Sequence, residues 1–290
     1  AFNVNRLCGS GLQAIVSAAQ SILLGDCDVA VGAGCEVMSR GAYLVPSARF
    51  GARMGDRQML DLMVGALHDP FHKIHMGITA ENVAEQFGIS RSMMDELATE
   101  SHRRAAAAIA AGRFKDQIVP VMIKTRKGDV AFDTDEHVKA DTTMETLGKM
   151  RPAFKKDGSV TAGNASGIND AASAVVLAAG DAVKAQNLKP LARLVGYAHT
   201  GVEPTIMGIG PVSASRKVLA KVGLTVADLD VIESNEAFAA QACAVVKELQ
   251  LDPAKVNPNG SGISLGHPIG ATGAIITTKA IYELHRTGGR

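Results

Sequence analysis

Apolar positions recur at helical spacing near the start of the chain. Leu12, Ile15, Val16, Ala19, Ile22 and Leu23 predict a helix with one buried face, ended by Gly25 and Asp26. The run 28–34 is short, apolar and closed by glycine, which predicts a buried strand of a helix-covered sheet. Its Gly-x-Gly has no third glycine opening a helix and is no dinucleotide fingerprint. From 38 to 165 the alternation gives way to a Gly-, Met- and Arg-rich excursion, either a functional lid or an inserted subdomain. Within it, a helix over 79–87 is expected to be capped by Thr79. A second, over 90–111, is expected to be capped by Ser90 and stopped by Gly112. Glu100 and Arg104 form an i,i+4 pair on its wet side, and the alanines 105–108 suit close packing. A strand over 117–123 is placed at an edge by Pro120, and 125–143 is charged and hairpin-like. The β/α alternation then resumes. An apolar run covers 171–179; strands are predicted at 191–197, 229–232 and 255–259, and helices at 213–222, from the opening Asn235-Glu236-Ala237-Phe238 to 249, and at 271–284. Polar loops thus fall at the carboxyl ends of strands, where open α/β sheets place their sites.

Composition narrows the function. A net charge of +1 over 290 residues argues against nucleic acid or a membrane surface as the main partner. Cys8, Cys27, Cys35 and Cys243 show neither zinc spacing nor a disulfide framework, which suits a reducing cytoplasm. No apolar run is long enough to span a bilayer, and no signal-peptide pattern opens the chain. The chain opens on Ala1-Phe2-Asn3-Val4, already strand-like, and stops just after an apolar helix where another strand is due. It is expected to be a segment cut at both ends.

Three loops carry candidate chemistry. Cys8, in Asn5-Arg6-Leu7-Cys8-Gly9-Ser10-Gly11, sits at the start of the first helix. Unpaired N–H groups and the helix dipole favour a thiolate there, and the glycines allow close approach; the alternative is a small buried cysteine in a tight turn. His267, between Gly266 and Pro268, has the best context for a base among eight histidines. His68, His72, His102, His137, His199 and His285 read as ordinary surface or core residues, with His75 between the two groups. Asn235, at the mouth of a strand-to-helix turn, is a neutral donor able to polarise a carbonyl or orient water. Glu236 beside it reads as a helix-start carboxylate. The small polar run 161–170 is a structural turn or a ligand loop. The cluster Lys139, Lys149, Arg151, Lys155 and Lys156 is a solvated face or a phosphate-ligand site.

A cysteine, a histidine and an asparagine on separate loops fit acyl transfer, and taken alone would also fit a cysteine hydrolase. The motifs around Cys8, Asn235-Glu236-Ala237-Phe238 and Gly266-His267-Pro268-Ile269-Gly270 resemble the thiolases (acetyl-CoA C-acetyltransferases, β-ketothiolases). They match three of that family's four signatures, in order.

The resemblance implies a thiolase-like α/β fold of two pseudo-symmetric halves, each a mixed sheet covered by helices, with an inserted loop domain. The halves are expected at 1–187, containing the loop domain at about 38–165, and at 188–290. It implies Cys8 as acyl-accepting nucleophile, and His267 as its base and a contributor to an oxyanion hole. Asn235 would hold the ordered water of that hole, and the Cys8 N–H would serve a second one. His75 and Ser166 match positions contacting pantetheine, Lys139 lies where a basic residue approaches the nucleotide, and Met76, Phe154 and Phe238 would line the tunnel.

The activity implied is reversible thiolytic cleavage of short-chain 3-ketoacyl-CoA, or condensation of two acetyl-CoA, through acyl-Cys8. It would serve fatty acid metabolism in a cytoplasmic homotetramer, a dimer of dimers. Coenzyme A thioesters are the expected substrates, with no metal or redox cofactor, nucleic acid or membrane partner. Two departures stand out. The family's opening β-α-β stretch is absent here, and its Cys-Gly-Gly-Gly loop with the second catalytic cysteine would lie just beyond Arg290, so the segment alone is expected to be inactive. A decarboxylating ketosynthase would need a second histidine at Asn235. A non-catalytic carrier would be expected to lose Cys8 or His267.

Overall fold

Two glycine-lined contacts bring the beginning and the end of the chain together in the computed structural model, which describes residues 1–289. Helix α1 (Ser10–Leu23) follows a short 3₁₀ turn at Leu7–Gly9 and buries Ile15, Val16 and Ala19. Strand β1 (Val29–Val37) runs on past the predicted 34. Of its residues only Gly32 is fully buried, against α1, where a Cβ would come 2.7 Å from the Ile15 backbone. The expectation of a wholly buried strand fails for the outer face: Val29, Val31 and Val37 are exposed. β1 pairs antiparallel with β6 (Asp170–Ala178), from Val29 opposite Ala178 to Val37 opposite Asp170.

Between these strands lie two small antiparallel hairpins and four helices. β2 (Tyr43–Leu44) pairs with β3 (Leu60–Asp61), and β4 (Val121–Thr125) with β5 (Gly128–Phe132), the latter starting just after Pro120. The helices are α2 (Leu62–Ala66), α3 (Met76–Phe87), α4 (Arg91–Ala110) and α5 (Met144–Gly148). Ser90 caps α4 as expected, and Ala105 and Ala108 are fully buried. α3 departs from expectation: it starts three residues early, capped by His75, whose Nδ1 accepts the Gly77 N–H at 2.9 Å. An imidazole nitrogen is as good an acceptor for an orphan N–H as a hydroxyl, and the Thr79 hydroxyl instead donates to Met76 O.

After β6 come α6 (Gly180–Ala185), α7 (Gly210–Val222), α8 (Ala239–Leu249), α9 (Gly262–Leu265) and α10 (Thr272–Thr287). Of the three strands predicted in this half, 229–232 and 255–259 meet through one parallel bridge, Ile232 to Val256. The stretch 191–197 forms no ladder among the described residues. A strand needs a neighbour supplying repeated hydrogen bonds, and here Leu191, Leu194 and Val195 remain exposed. The main core lies where the loop helices meet the second half: Val83, Met94 and Ala98 pack with Ala239, Ala240, Val245 and Ile263.

Candidate active site

Cys8 is presented by a strained turn. Leu7 holds a left-handed φ of 49°, unusual for a bulky residue, and its N–H is taken by Asn5 Oδ1 at 3.0 Å. The Ser10 hydroxyl staples the turn, accepting from Arg6 N and donating to Leu7 O at 2.7 Å. The thiol is thereby aimed across the seam at the 266–272 loop, and its sulfur lies 3.2 Å from His267 Nε2.

His267 is fixed from several sides. Gly266 has φ +104°, and the space a side chain would fill there is occupied by the Asn169 amide, whose Oδ1 accepts the His267 N–H at 3.1 Å. Glu36, on β1, accepts the Gly270 N–H at 2.9 Å and so ties the loop to the first half. His267 Nδ1 lies 2.7 Å from the Thr272 hydroxyl. None of Asn169, Glu36 and Thr272 stands out in the sequence as a site residue. Thr272 lies inside the glycine-rich motif and Asn169 inside the small polar loop, but only packing shows what they touch.

Burial decides the protonation states. It pushes the Cys8 thiol up to about 11, with the Glu36 carboxylate adding to the rise, and it holds His267 down at about 4. The expected thiolate is therefore corrected: desolvation outweighs the helix end, and the resting pair is a neutral thiol facing a neutral imidazole. Acid should destabilise the fold accordingly. The unfolded chain takes up the His267 proton near 6.5 and the folded one only near 4, so stability present above 6.5 is lost as pH falls through 4. The slope is about 1.4 kcal/mol per pH unit for one such group. The melting temperature should fall over that window and fall less in His267→Gln; equal slopes in the two proteins would refute this origin.

Asn235 joins the pair. Its Nδ2 lies 3.3 and 3.4 Å from the two ring nitrogens of His267, while its buried Oδ1 has no partner among the described residues. Such an orphan costs about 1–3 kcal/mol, the kind of loss tolerated at functional sites. Glu236 is not the helix-start carboxylate expected, because α8 starts only at Ala239. Fully buried, it accepts from Ser101 Oγ at 2.6 Å, Asn257 Nδ2 at 3.0 Å and Ile263 N at 3.3 Å, clamping the segment that leads to His267. Burial raises its carboxyl above the ordinary range.

The remaining candidates divide. His75 stacks on Phe154 at 4.7 Å, and Phe154 meets Phe238 edge-on at 6.0 Å, forming a half-buried aromatic wall. Ser166 donates both its N–H and its hydroxyl to Ala237 O, bridging the polar loop to the Asn235 segment. Met76 opens α3, half-buried. Lys139 is exposed, with its backbone N–H donated to His102. Lys149 and Lys155 of the basic cluster pair with Glu145 and Glu85.

A thiol facing an imidazole, with an amide donor alongside and an α/β frame behind, is the apparatus of cysteine-based acyl transfer. Comparison with known proteins gives the family. The family model described as Thiolase, N-terminal domain matches residues 1–181, and Thiolase, C-terminal domain matches 188–290; the chain belongs to the thiolase family. It is 69% identical over 291 residues to beta-ketothiolase BktB of Cupriavidus necator, covering 100% of this chain and 74% of that protein. It is 54% identical over 292 residues to acetyl-CoA acetyltransferase of Chromobacterium violaceum, with the same coverage. Among solved structures, the Bacillus anthracis acetyl-CoA acetyltransferase superposes with a TM-score of 0.95 at 53% identity, covering 99% of this chain and 73% of that one. Human mitochondrial 3-ketoacyl-CoA thiolase in complex with CoA superposes with a TM-score of 0.95 at 46% identity, covering 99% and 72%. The chain is thus a thiolase-type acyltransferase with the fold expected of one, and its reaction is thiolytic cleavage or condensation through an acyl-cysteine. None of its described helices is long and apolar enough to cross a membrane.

Proposed function

We propose that Cys8 carries the acyl group, that His267 is its base and that Asn235 supports the oxyanion site, acting on short-chain 3-ketoacyl-CoA or on acetyl-CoA. The observation that carries this reading is the 3.2 Å approach of Cys8 Sγ to His267 Nε2. In cleavage, the thiol proton passes to Nε2 as sulfur attacks the 3-keto carbon. The bond between carbons 2 and 3 then breaks, acetyl-CoA leaves as a carbanion that takes up a proton, and acyl-Cys8 remains. The thiol of free CoA attacks that thioester, releasing acyl-CoA and the Cys8 thiolate, which is reprotonated. Once protonated, Nε2 can donate to the thioester oxygen, with Asn235 beside it. Every step is proton or acyl transfer, so coenzyme A serves as substrate and no metal or redox cofactor is called for.

The wall of His75, Phe154 and Phe238, with Met76 and Ser166 beside it, suits the pantetheine arm, and exposed Lys139 suits the nucleotide end. A cytoplasmic homotetramer in fatty acid metabolism completes the reading. Incubation with acetyl-CoA followed by peptide mass spectrometry should find acetyl on the Cys8 peptide. Acetyl on Cys243 instead, or on no cysteine, would overturn the assignment. Asn235→Ala should slow acetylation of Cys8 by roughly 10²- to 10³-fold, the usual loss for one oxyanion donor. Full activity in that variant, measured by CoA release, would remove Asn235 from the mechanism.

A further inference from the structure

We propose that Thr272 is a positioning residue that holds His267 in the one tautomer able to accept the Cys8 proton. The inference rests on Cys8 and His267 being the reacting pair. A threonine hydroxyl carries one hydrogen, and Pro268 O, 3.0 Å away, is a carbonyl that can bond to it only by accepting that hydrogen. Toward His267 Nδ1, 2.7 Å away, the oxygen can therefore only accept, which places the ring proton on Nδ1. Nε2 is left unprotonated, 3.2 Å from the Cys8 sulfur, and the Asn235 Nδ2 group, 3.3 Å from Nδ1 and 3.4 Å from Nε2, then has Nε2 as its one acceptor on the ring. With the opposite tautomer, Nε2–H would face the thiol and no proton could move to it.

Proton bookkeeping closes without another group. The Cys8 S–H gives its proton to Nε2, the imidazolium keeps Nδ1–H on Thr272 Oγ1, and the Thr272 hydrogen stays on Pro268 O. The charge that forms faces a hydroxyl rather than a carboxylate, so Nε2 returns the proton readily. The Glu36 carboxylate is the charged neighbour that acts on Cys8, while His267 is shifted by burial alone. Thr272 is itself buried, and Pro268 O also accepts the N–H groups of Ala271 and Thr272. The turn therefore keeps its backbone bonds when the hydroxyl is removed.

The test is site-resolved alkylation of Cys8 by iodoacetamide from pH 6 to 9 in the full chain, with Thr272→Val and Thr272→Ser. A thiol served by a neutral base keeps one protonation state across that range and should give a flat profile. Thr272→Val should react at least tenfold more slowly at neutral pH, with a rate rising about tenfold per pH unit as hydroxide replaces the base. Thr272→Ser should restore the flat profile. A Thr272→Val protein that is slower but still flat would reduce Thr272 to a packing role and overturn the proposal. In the unaltered protein, nitrogen-15 NMR of the histidines, with the His267 signals identified by their loss in His267→Gln, should find the His267 proton on Nδ1; a proton on Nε2 overturns it. Failure of acetyl-CoA to acylate Cys8 in the unaltered protein would instead sink the underlying assignment.

Discussion

Replacing His267 by alanine is expected to slow acylation of Cys8 by 10²- to 10⁴-fold, the range lost with a general base. The reason lies in the protonation states. With its thiol held near 11, Cys8 unaided is ionised to only about one part in a few thousand near pH 7.5. The loss should shrink as pH rises, because hydroxide takes over the deprotonation that Nε2 performs at neutral pH. Cys35 is exposed and will react with any alkylating probe, so the readout must be the Cys8 peptide rather than total label. Cys243, pushed up to about 12 by burial, with its thiol donating to Met93 O at 3.6 Å, should label more slowly than Cys8 in the unaltered protein. The experiment is a time course of acetyl transfer from acetyl-CoA at several pH values. Unchanged transfer in His267→Ala at pH 7 would exclude His267 as the base.

The site loops were legible because glycine and proline punctuate them. Cys8 and His267 sit in short runs whose backbone cannot continue a helix or strand, and such runs stand out against the periodic segments. What those loops do to their side chains was not legible. The thiol is raised by burial and by Glu36, a residue on the neighbouring strand whose approach depends on the packing of α1 against β1. The tautomer of His267 depends on where one hydroxyl hydrogen points. Glu236 looks like a helix-start carboxylate until the chain is folded and Ser101, from α4, is found bonded to it. The longer helices α1, α3, α4, α7, α8 and α10 were legible, since a 3.6-residue period survives in one segment alone, whereas the short α2, α5, α6 and α9 have too few turns to show one. The predicted strand at 191–197 was not realised, because pairing is a property of two segments and local apolar pattern reports only one.

The second large effect should come from the seam itself. α1 and α10 cross where Gly11 meets Gly273. A Cβ on Gly273 would come 2.8 Å from Leu12 Cβ and 3.0 Å from Gly11 C, and it would also overlap Leu12 N. The obstructing atoms are mostly backbone, so no side chain can swing aside, and the two helix ends must separate. Gly273→Ala should therefore cost about 1–3 kcal/mol of stability, as overpacked cores do. It should also move Cys8 away from Nε2. A displacement approaching 1 Å in a reacting pair lowers rate by about 10²-fold, so acetylation of Cys8 should fall far more than stability alone would explain. Gly180→Ala is the control: that glycine opens α6, with nothing within 4 Å of its Cβ position and no positive φ, and the change should leave both quantities near their starting values. Thermal melting and the Cys8 acetylation rate, measured on the three proteins side by side, decide the matter. If Gly273→Ala melts lower yet acetylates at the original rate, the seam holds the fold together without setting the distance between thiol and imidazole.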